Sequence, residues 1–336
     1  MVSNSVILSV CIPTFNRLHY LKEMLEILLP QAETLKVEVC VSDNASTDNT
    51  HIFLSDIAKT YNCIKFSVNT TNIGIDLNII NAMQMANGQY LLPIGDDEVL
   101  PNGSLNKILQ TINVYPNLDV LFLDGYRTNA QLLKTQELLP SNLKGHFFSD
   151  PIDALDNLYK FQALGCFVVS RDCLALDWYK KYIGTYHAFC GIIWDFLIFK
   201  YQKNKCCSVV CMDELVVLLR VVEKTWKPEF IKIMLHDVPE FISRLPNEYG
   251  EVKEKIIKNY CAEKSNLFFL LGYKINHDFD YTMVKKYMKH FSGYQVVRAR
   301  FVSSMPTVLA RFILVLKDCL KMLWIKSSFG NSSRNI

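Results

Sequence analysis

Three apolar runs that each end abruptly in small, polar or acidic residues constrain the fold of this chain most strongly. They lie at residues 9–17, 39–48 and 88–98. A buried parallel strand has this appearance when it carries a functional loop at its carboxyl end. Three such ends can meet in one crevice, and their Asp, Asn, Thr and Arg side chains suit a nucleotide and a divalent metal better than an apolar ligand.

The segments between these runs have the spacing of amphipathic helices, as at Leu21, Met24, Leu25 and Leu28. Strands and helices therefore alternate, which predicts an α/β fold with a doubly wound, mostly parallel sheet flanked by helices. The strands are predicted at residues 6–12, 36–42, 64–69, 90–94 and 120–124, and the helices at 18–29, 51–61, 76–86 and 104–114.

Beyond residue 130 the alternation loosens, and from residue 227 onward the pattern is helical. We therefore expect an α/β domain at 1–225 and a helical, basic region at 226–336. The elements predicted before that boundary are strands at 163–170 and 207–211, a helix at 194–200 and an extended segment at 215–221.

The composition indicates a globular protein, with 50% hydrophobic and 21% charged residues. Eleven scattered cysteines, an odd number in a long chain, argue against a disulfide framework. Because the amino terminus also shows no signal-peptide pattern, we expect a cytoplasmic protein.

The net charge of +3 hides an asymmetry, because residues 285–336 contain ten Lys or Arg and one acid, Asp318. Such a tail suits an anionic partner, either lipid headgroups or nucleic acid. On a helical wheel, Val308–Ile325 separates an apolar face from a basic rim. This favours an anionic membrane surface over nucleic acid, although a helix packed on its own protein would look similar.

Asp96 and Asp97 are adjacent carboxylates that follow a predicted buried strand. Both ionise readily only beside a cation or hydrogen-bond donors, and Mg²⁺ or Mn²⁺ is one such cation. A solvated turn is the alternative. Asp43 and Asn44 end another strand, where they could contact a base or ribose or form an Asx turn.

The first strand ends at Pro13, Thr14, Asn16 and Arg17. Pro13 fixes the turn, Thr14 and Asn16 offer polar contacts, and Arg17 could meet a phosphate. An exposed charge at a helix start is the alternative for Arg17. The chain has no G-x-G-x-x-G or Walker A loop, which removes the main support for a dinucleotide or P-loop protein.

In their order and spacing these segments resemble the GT-A fold glycosyltransferases of family 2, especially bacterial O-antigen sugar transferases of the abequosyltransferase type. The segments that carry the resemblance are Ile12–Arg17, Ser42–Asp48, Asn72–Gly74, Asn87–Tyr90 and Gly95–Asp97, with a further stretch at Tyr182–Thr185.

The resemblance implies a donor-binding set and a metal-contacting acid, Asp96, which matches the second acid of the family's Asp-x-Asp motif. The chain departs from that motif because Ile94 stands where the first Asp is usual. Metal dependence is therefore an expectation only. The donor-binding set is Pro13, Thr14, Asn16, Arg17, Asp43, Asn44, Asn72, Gly74, Asp97 and Arg220.

An inverting transferase also needs a base that takes the proton of the acceptor hydroxyl. The family places a carboxylate at the start of a late helix, and Asp195 is the nearest match, although it could be an ordinary surface acid. His187 is the second candidate, because its pKa suits proton transfer.

The resemblance implies transfer of a sugar from a nucleotide-sugar to a lipid-linked oligosaccharide at the inner face of the cell membrane. A nucleotidyltransferase is disfavoured because the first loop lacks glycine. A non-catalytic relative stays open because of Ile94, and no recognisable nucleic-acid-binding module is present.

Overall fold

The computed structural model describes residues 6–221 and 229–317 of the chain. Within them one nine-stranded sheet forms the centre of the amino-terminal part. Its strands are β1 (Leu8–Thr14), β2 (Glu38–Asp43), β3 (Ile64–Val68), β4 (Tyr90–Pro93), β5 (Val120–Thr128), β6 (Lys134–Glu137), β7 (Phe147–Phe148), β8 (Phe167–Ser170) and β9 (Val209–Arg220).

The strand order is β3-β2-β1-β4-β8-β5-β9-β7, with β6 paired to β5. Strands β1, β2, β3 and β4 run parallel, and β5 runs parallel to β9. Strand β8 lies antiparallel between β4 and β5, so the sheet is mixed. The predicted α/β class with a helical carboxyl-terminal region is confirmed.

Helices cover the sheet, and their buried faces carry the apolar positions that the sequence predicted. Leu21, Met24, Leu25 and Leu28 are all buried on α1. These helices are α1 (Leu18–Leu35), α2 (Thr50–Ile57), α3 (Ile75–Met85), α4 (Ser104–Val114), α5 (Pro151–Leu158) and α6 (Ala188–Asn204).

Several boundaries differ from the sequence prediction; the helix predicted at 194–200, for example, is the longer α6 (Ala188–Asn204). Two of the differences have a clear physical reason. Helix α1 continues past Pro30, whose ring removes a helical hydrogen bond, because the buried Ala32 extends the apolar face. The strand predicted at 207–211 and the extended segment predicted at 215–221 are one strand, β9. Its charged residues Asp213 and Glu214 are exposed while the backbone stays paired with β5 across a register shift.

The described residues divide into two compact units, unit 1 (residues 6–221 and 244–253) and unit 2 (residues 229–243 and 254–317). The predicted boundary at residue 225 lies outside the described residues. The carboxyl-terminal helices are α7 (Phe230–Lys232), a π-helical turn (Ile233–Asp237), α8 (Val238–Ser243), α9 (Gly250–Lys264), α10 (Leu267–Asn276), α11 (Tyr281–Tyr287), α12 (Gly293–Ser304) and α13 (Thr307–Lys317).

Unit 2 has its own apolar core, which includes Leu270, Phe279 and Val302. Among the described helices no single one is long and apolar enough to cross a membrane. Helices α12 and α13 pass that test of length and composition only as a pair bent by 110°. Of the amphipathic helix predicted at Val308–Ile325, residues 318–325 lie outside the described residues.

Candidate active site

The carboxyl ends of β1, β2 and β4 lie side by side at one edge of the sheet. The backbone N–H of Asn44 donates to the Thr14 carbonyl over 2.9 Å, and that of Ile94 donates to the Cys11 carbonyl over 3.0 Å. Parallel pairing in this register brings Thr14, Asp43 and Asp96 to the same edge, as the three polar strand ends predicted.

The two adjacent carboxylates, Asp96 and Asp97, are buried and share one guanidinium. Arg17 Nε lies 3.3 Å from Asp96 Oδ1, and one terminal nitrogen of Arg17 lies 2.7 Å from Asp97 Oδ2. The Thr14 hydroxyl donates to Asp96 Oδ2 over 2.8 Å. Burial lowers the pKa of Arg17, but the two carboxylates outweigh it, so the net shift of that pKa is upward.

Arg220, at the end of β9, is held by an acid that the sequence did not indicate. Its two terminal nitrogens donate to the two carboxylate oxygens of Glu23, over 2.8 and 2.6 Å. This pairing lowers the pKa of Glu23, and it raises the pKa of Arg220 with a further contribution from Asp97. The Tyr20 ring centroid lies 4.9 Å from Arg17 Cζ and 5.3 Å from Arg220 Cζ.

The loop after β4 is tied to the end of β9. Glu98 accepts a hydrogen bond from the Arg220 backbone N–H over 2.9 Å, and Val99 forms a bridge with Leu218. Because Glu23 and Arg220 are 197 residues apart, no local spacing could have paired them. The structure thus brings two arginines and five carboxylates to this edge, the carboxylates being Glu23, Asp43, Asp96, Asp97 and Glu98.

Asp43 is fully buried, and one of its oxygens has an acceptor position to spare. Its Oδ1 accepts from the Ser46 backbone N–H over 3.0 Å. Within the part of the chain that the structure describes, its Oδ2 is buried without a hydrogen-bond partner. A buried carboxylate oxygen without a donor is costly, and a bound ligand with an N–H or O–H would satisfy it.

Asn44 connects β2 to the loop before α3. Its side chain donates to Asn72 Oδ1 over 2.9 Å and accepts from the Ile73 N–H over 2.9 Å. Gly74 begins α3 with φ of +84°, a conformation that glycine adopts without strain. These contacts join three of the predicted donor-binding residues in one network.

Asn16 and Pro13 shape the neighbouring loop at the end of β1. Asn16 has a left-handed backbone, and its Oδ1 accepts from the Thr47 N–H over 2.7 Å, while its own N–H donates to the Ser46 hydroxyl. Pro13 is buried in β1 opposite Ser42 of β2. Both residues therefore fix the loops around the edge.

Asp76, in the first turn of α3, was not singled out from the sequence, yet it anchors the start of α6. Its carboxylate accepts from the backbone N–H groups of Gly184, Tyr186 and Ala188 over 2.8 to 3.1 Å. Burial raises the pKa of Asp76, against the opposing effect of these donors and of the His187 charge. The starts of α3 and α6 therefore meet.

His187 precedes α6 beside this anchor. Its Nδ1 lies 2.7 Å from the Thr185 carbonyl oxygen, which can only accept a hydrogen bond. In the neutral ring the proton therefore sits on Nδ1, and Nε2 is the acceptor nitrogen. This tautomer is the one that a general base at Nε2 requires.

Asp195 lies about 10 Å further along α6, two helical turns from its start. One oxygen is 2.7 Å from Lys181 Nζ, and the other accepts from the Tyr182 hydroxyl over 2.6 Å. Burial raises the pKa of Asp195, and the two partners reduce that shift without cancelling it. The structure thus separates the two base candidates, with His187 at the start of α6 and Asp195 inside it.

The carboxylate oxygens at the sheet edge provide only some of the ligands that a divalent cation needs. No group of three or more His, Cys, Asp or Glu side chains that could hold a metal occurs in residues 6–221 and 229–317. Asp96 and Asp97 are carboxylates, and Ile94 is fully buried. Mg²⁺ commonly uses one or two carboxylates together with substrate phosphates, so Asp96 fits when a diphosphate supplies further oxygens.

A model of the family described as "Glycosyl transferase family 2" matches residues 9–174. Abequosyltransferase RfbV of Salmonella typhimurium is 32% identical over 194 residues, which are 54% of this chain and 58% of RfbV. A second relative, 31% identical over 107 residues, is the GalNAc(5)-diNAcBac-PP-undecaprenol beta-1,3-glucosyltransferase of Campylobacter jejuni. That match covers 32% of this chain and 34% of the relative, so the chain spans less than two thirds of either protein.

Solved structures of low sequence identity share the fold. S. aureus TarS 1-349 in complex with UDP-GlcNAc matches with a TM-score of 0.57 and 16% identity, over 89% of this chain and 88% of the TarS 1-349 chain. The mannosyltransferase PcManGT of Pyrobaculum calidifontis, in complex with GDP-Man and Mn2+, matches with a TM-score of 0.55 and 12% identity, over 95% and 81%. These likenesses confirm the predicted GT-A fold. The match to the family model at residues 9–174 and the likeness to RfbV confirm the family resemblance.

Proposed function

We propose that this chain is a glycosyltransferase that moves a sugar from a nucleotide-sugar donor to a lipid-linked glycan acceptor during assembly of a bacterial surface polysaccharide. The observation that carries the proposal is the buried, charge-rich sheet edge around Asp96, Asp97, Arg17 and Arg220 in a family 2 domain. The names of the Salmonella and Campylobacter relatives support the acceptor and the pathway class.

Asp43 binds the base or ribose of the donor in this proposal. Its buried Oδ2 can accept from an N–H or O–H of the nucleotide. Thr14 lies opposite Asp43 in the sheet and Pro13 lies opposite Ser42, so both are beside the base or ribose, and the network of Asn44, Asn72 and Gly74 lies next to them. Asn16 keeps the two flanking loops in place.

The diphosphate of the donor binds at the arginines. Arg17 and Arg220 each carry a guanidinium that can pair with phosphate oxygens in two-pronged fashion. Asp96, with Asp97 beside it, is the residue that would hold Mg²⁺ or Mn²⁺. A bound divalent ion would supply positive charge to the leaving diphosphate.

The transfer is proposed as an inverting displacement. The acceptor oxygen bonds to the anomeric carbon, the bond from that carbon to the diphosphate oxygen breaks, and the acceptor proton passes to a base. His187 is favoured as that base because its Nε2 is the acceptor nitrogen and because Asp76 stabilises the positive ring. Asp195 is the competing candidate, since its raised pKa also suits proton transfer.

Residues 1–225 form the catalytic domain in this proposal, and residues 226–336 form a membrane-associating region. The protein acts in the cytoplasm, peripherally on the inner face of the cell membrane, where a lipid-linked acceptor is presented. The excess of basic residues in 285–336 supports contact with anionic lipid.

A thermal-shift panel of UDP, GDP, CDP and dTDP, each with Mn²⁺, Mg²⁺ or chelator, tests the donor site. Binding of one nucleotide to the folded chain raises its melting temperature, so a metal-dependent shift with one base supports the proposal. A shift without metal supports donor binding and indicates that Ile94, in place of the first Asp of the motif, has changed the site. No shift with any nucleotide at millimolar concentration contradicts the proposal.

A further inference from the structure

Helix α12 exposes larger apolar side chains than it buries. Tyr294, Val297 and Phe301 are 70%, 62% and 67% exposed, whereas the buried face carries Ala299 and Val302. On a helical wheel the exposed residues form one stripe opposite the buried face. A helix in water normally shows the reverse arrangement, so this stripe indicates contact with something apolar.

Helix α13 repeats the pattern. Val308, Phe312 and Val315 are 80%, 58% and 59% exposed, and Ala310 is buried in the core of unit 2. The three exposed positions fall on one side of the helix at 100° per residue. We call Tyr294, Val297, Phe301, Val308, Phe312 and Val315 the exposed apolar surface.

The charges around this surface have one sign. Residues 281–317 contain seven Lys or Arg and no Asp or Glu. Several of these cations make cation–π contacts with aromatic rings of unit 2, so positive charges and apolar rings lie side by side on the same surface. Arg298 Cζ is 4.6 Å from the Tyr294 ring centroid, Arg300 Cζ is 5.5 Å from that of Tyr281, and Lys317 Nζ is 4.1 Å from that of Phe268.

We propose that the exposed apolar surface on α12 and α13 inserts into the headgroup region of an anionic lipid bilayer. The exposed aromatic and aliphatic side chains insert into the bilayer, and the flanking Lys and Arg residues pair with lipid phosphates. A second copy of the chain is a less suitable partner for this surface, because a self-complementary contact would bring the seven Lys and Arg residues of one copy against the seven of the other. This inference rests on the proposed function, which places the acceptor in a lipid membrane, and it extends the contact to α12.

Co-sedimentation of the full chain with vesicles tests the surface. We expect binding to vesicles of phosphatidylcholine with roughly one third phosphatidylglycerol, and weak binding to phosphatidylcholine alone. The double variant Val297→Ser/Phe301→Ser should weaken binding at least about tenfold, since two inserting apolar side chains are lost. Arg311→Gln should weaken it roughly fivefold.

The matched controls carry the same changes on exposed positions of unit 1. Val114→Ser/Phe147→Ser alters side chains that are 69% and 48% exposed, and Lys203→Gln removes an exposed charge. Both should bind vesicles like the parent chain. Circular dichroism checks that each variant is folded.

Three results would overturn the inference. The first is no binding of the parent chain to anionic vesicles, and the second is an equal weakening of binding by the unit 1 controls. The third is a parent dimer in light scattering that V297S/F301S dissociates without changing vesicle binding. Nucleotide-induced thermal shifts, measured on the same variants, distinguish an effect on membrane binding from an effect on the donor site. Vesicle binding without any nucleotide shift would refute the proposed function alone, and the opposite result would refute only the membrane surface.

Discussion

Unit 1 and unit 2 treat charged and apolar side chains in opposite ways. Unit 1 buries the carboxylates of Asp43, Asp96 and Asp97 at a sheet edge. Unit 2 leaves Tyr294 and Phe301 in solvent. Burying a charge and exposing a large ring are both unfavourable for an isolated domain, so each pattern needs a separate explanation.

The difference indicates that the two units meet different partners. Asp96 and Asp97 of unit 1 are paired with Arg17 inside the protein, an arrangement that a charged ligand can enter by exchanging partners. The exposed rings of unit 2 lie in a segment, residues 281–317, that contains Lys and Arg but no Asp or Glu. If this contrast is functional, variants in unit 1 will change transfer without changing vesicle binding, and variants in unit 2 will do the reverse.

The largest effect is expected from Asp96→Asn. This change removes the carboxylate that Arg17 and Thr14 hold, and with it the proposed metal ligand at the leaving diphosphate. The transfer rate should fall by about 10²–10³, measured as nucleotide release from the donor in the presence of acceptor. Vesicle binding should be unchanged.

Asp56→Asn is the control for this prediction, because Asp56 is an exposed acid of the same unit that pairs with Lys59. It should leave the rate at the parent value. Near-parental activity of Asp96→Asn at saturating metal would contradict the proposed role and break the contrast between the units.

The next effect separates the two base candidates. His187→Gln keeps a hydrogen-bonding side chain at the start of α6 but cannot take a proton, so the rate should fall by about 10². The acidic limb of the pH–rate profile should also disappear. Asp195→Asn should have a smaller effect on the rate, since Asp195 lies two turns into α6 beside Lys181 and Tyr182. A greater loss in Asp195→Asn would reverse the assignment.

A pair of glycine substitutions compares the packing of the two units. In unit 1, a Cβ on Gly125 would lie 1.9 Å from the Val217 carbonyl oxygen in the adjoining strand, so Gly125→Ala forces β5 and β9 apart. We expect a loss of about 1–3 kcal/mol in the free energy of unfolding, from urea titration. In unit 2, Gly272→Ala in α10 meets nothing within 4 Å and should gain about 0.5–1 kcal/mol. Equal destabilisation by both changes would contradict this difference.

The sequence could predict the strands that deliver the site, because each is a buried apolar run whose end turns polar within a few residues. It could therefore place Thr14, Asp43 and Asp96 at one edge. It could not give the antiparallel insertion of β8, since a short apolar run carries no information about its direction or its neighbour.

Contacts between distant residues were likewise beyond local patterns. Asp76 looks like an ordinary acid in the first turn of a helix, yet it accepts from the backbone of residues 184–188, more than a hundred positions away. Glu23 lies on the outward side of an amphipathic helix and pairs with Arg220. A polar residue next to the apolar face of a helix is compatible with many roles, and only the folded structure identifies the residue with which it pairs.

The smallest effect is expected from Glu23→Gln, which tests whether the Arg220 pair contributes to the stability of unit 1. The hydrogen bond from Arg220 lowers the pKa of Glu23 from its ordinary value of 4.5, so the pair stabilises the fold above that pH. This contribution is lost as the pH falls through the lowered pKa. Because the Glu23 side chain is 45% exposed, the loss in Glu23→Gln near pH 7 should be only about 0.2–1 kcal/mol. Urea midpoints of the variant and the parent should differ near pH 7 and converge below the lowered pKa, while Glu26→Gln, at an exposed position on the same helix, should change little at either pH. If the two urea midpoints still differed below the lowered pKa, Glu23 would stabilise the fold through packing, and the charge of Glu23 would not be what holds Arg220.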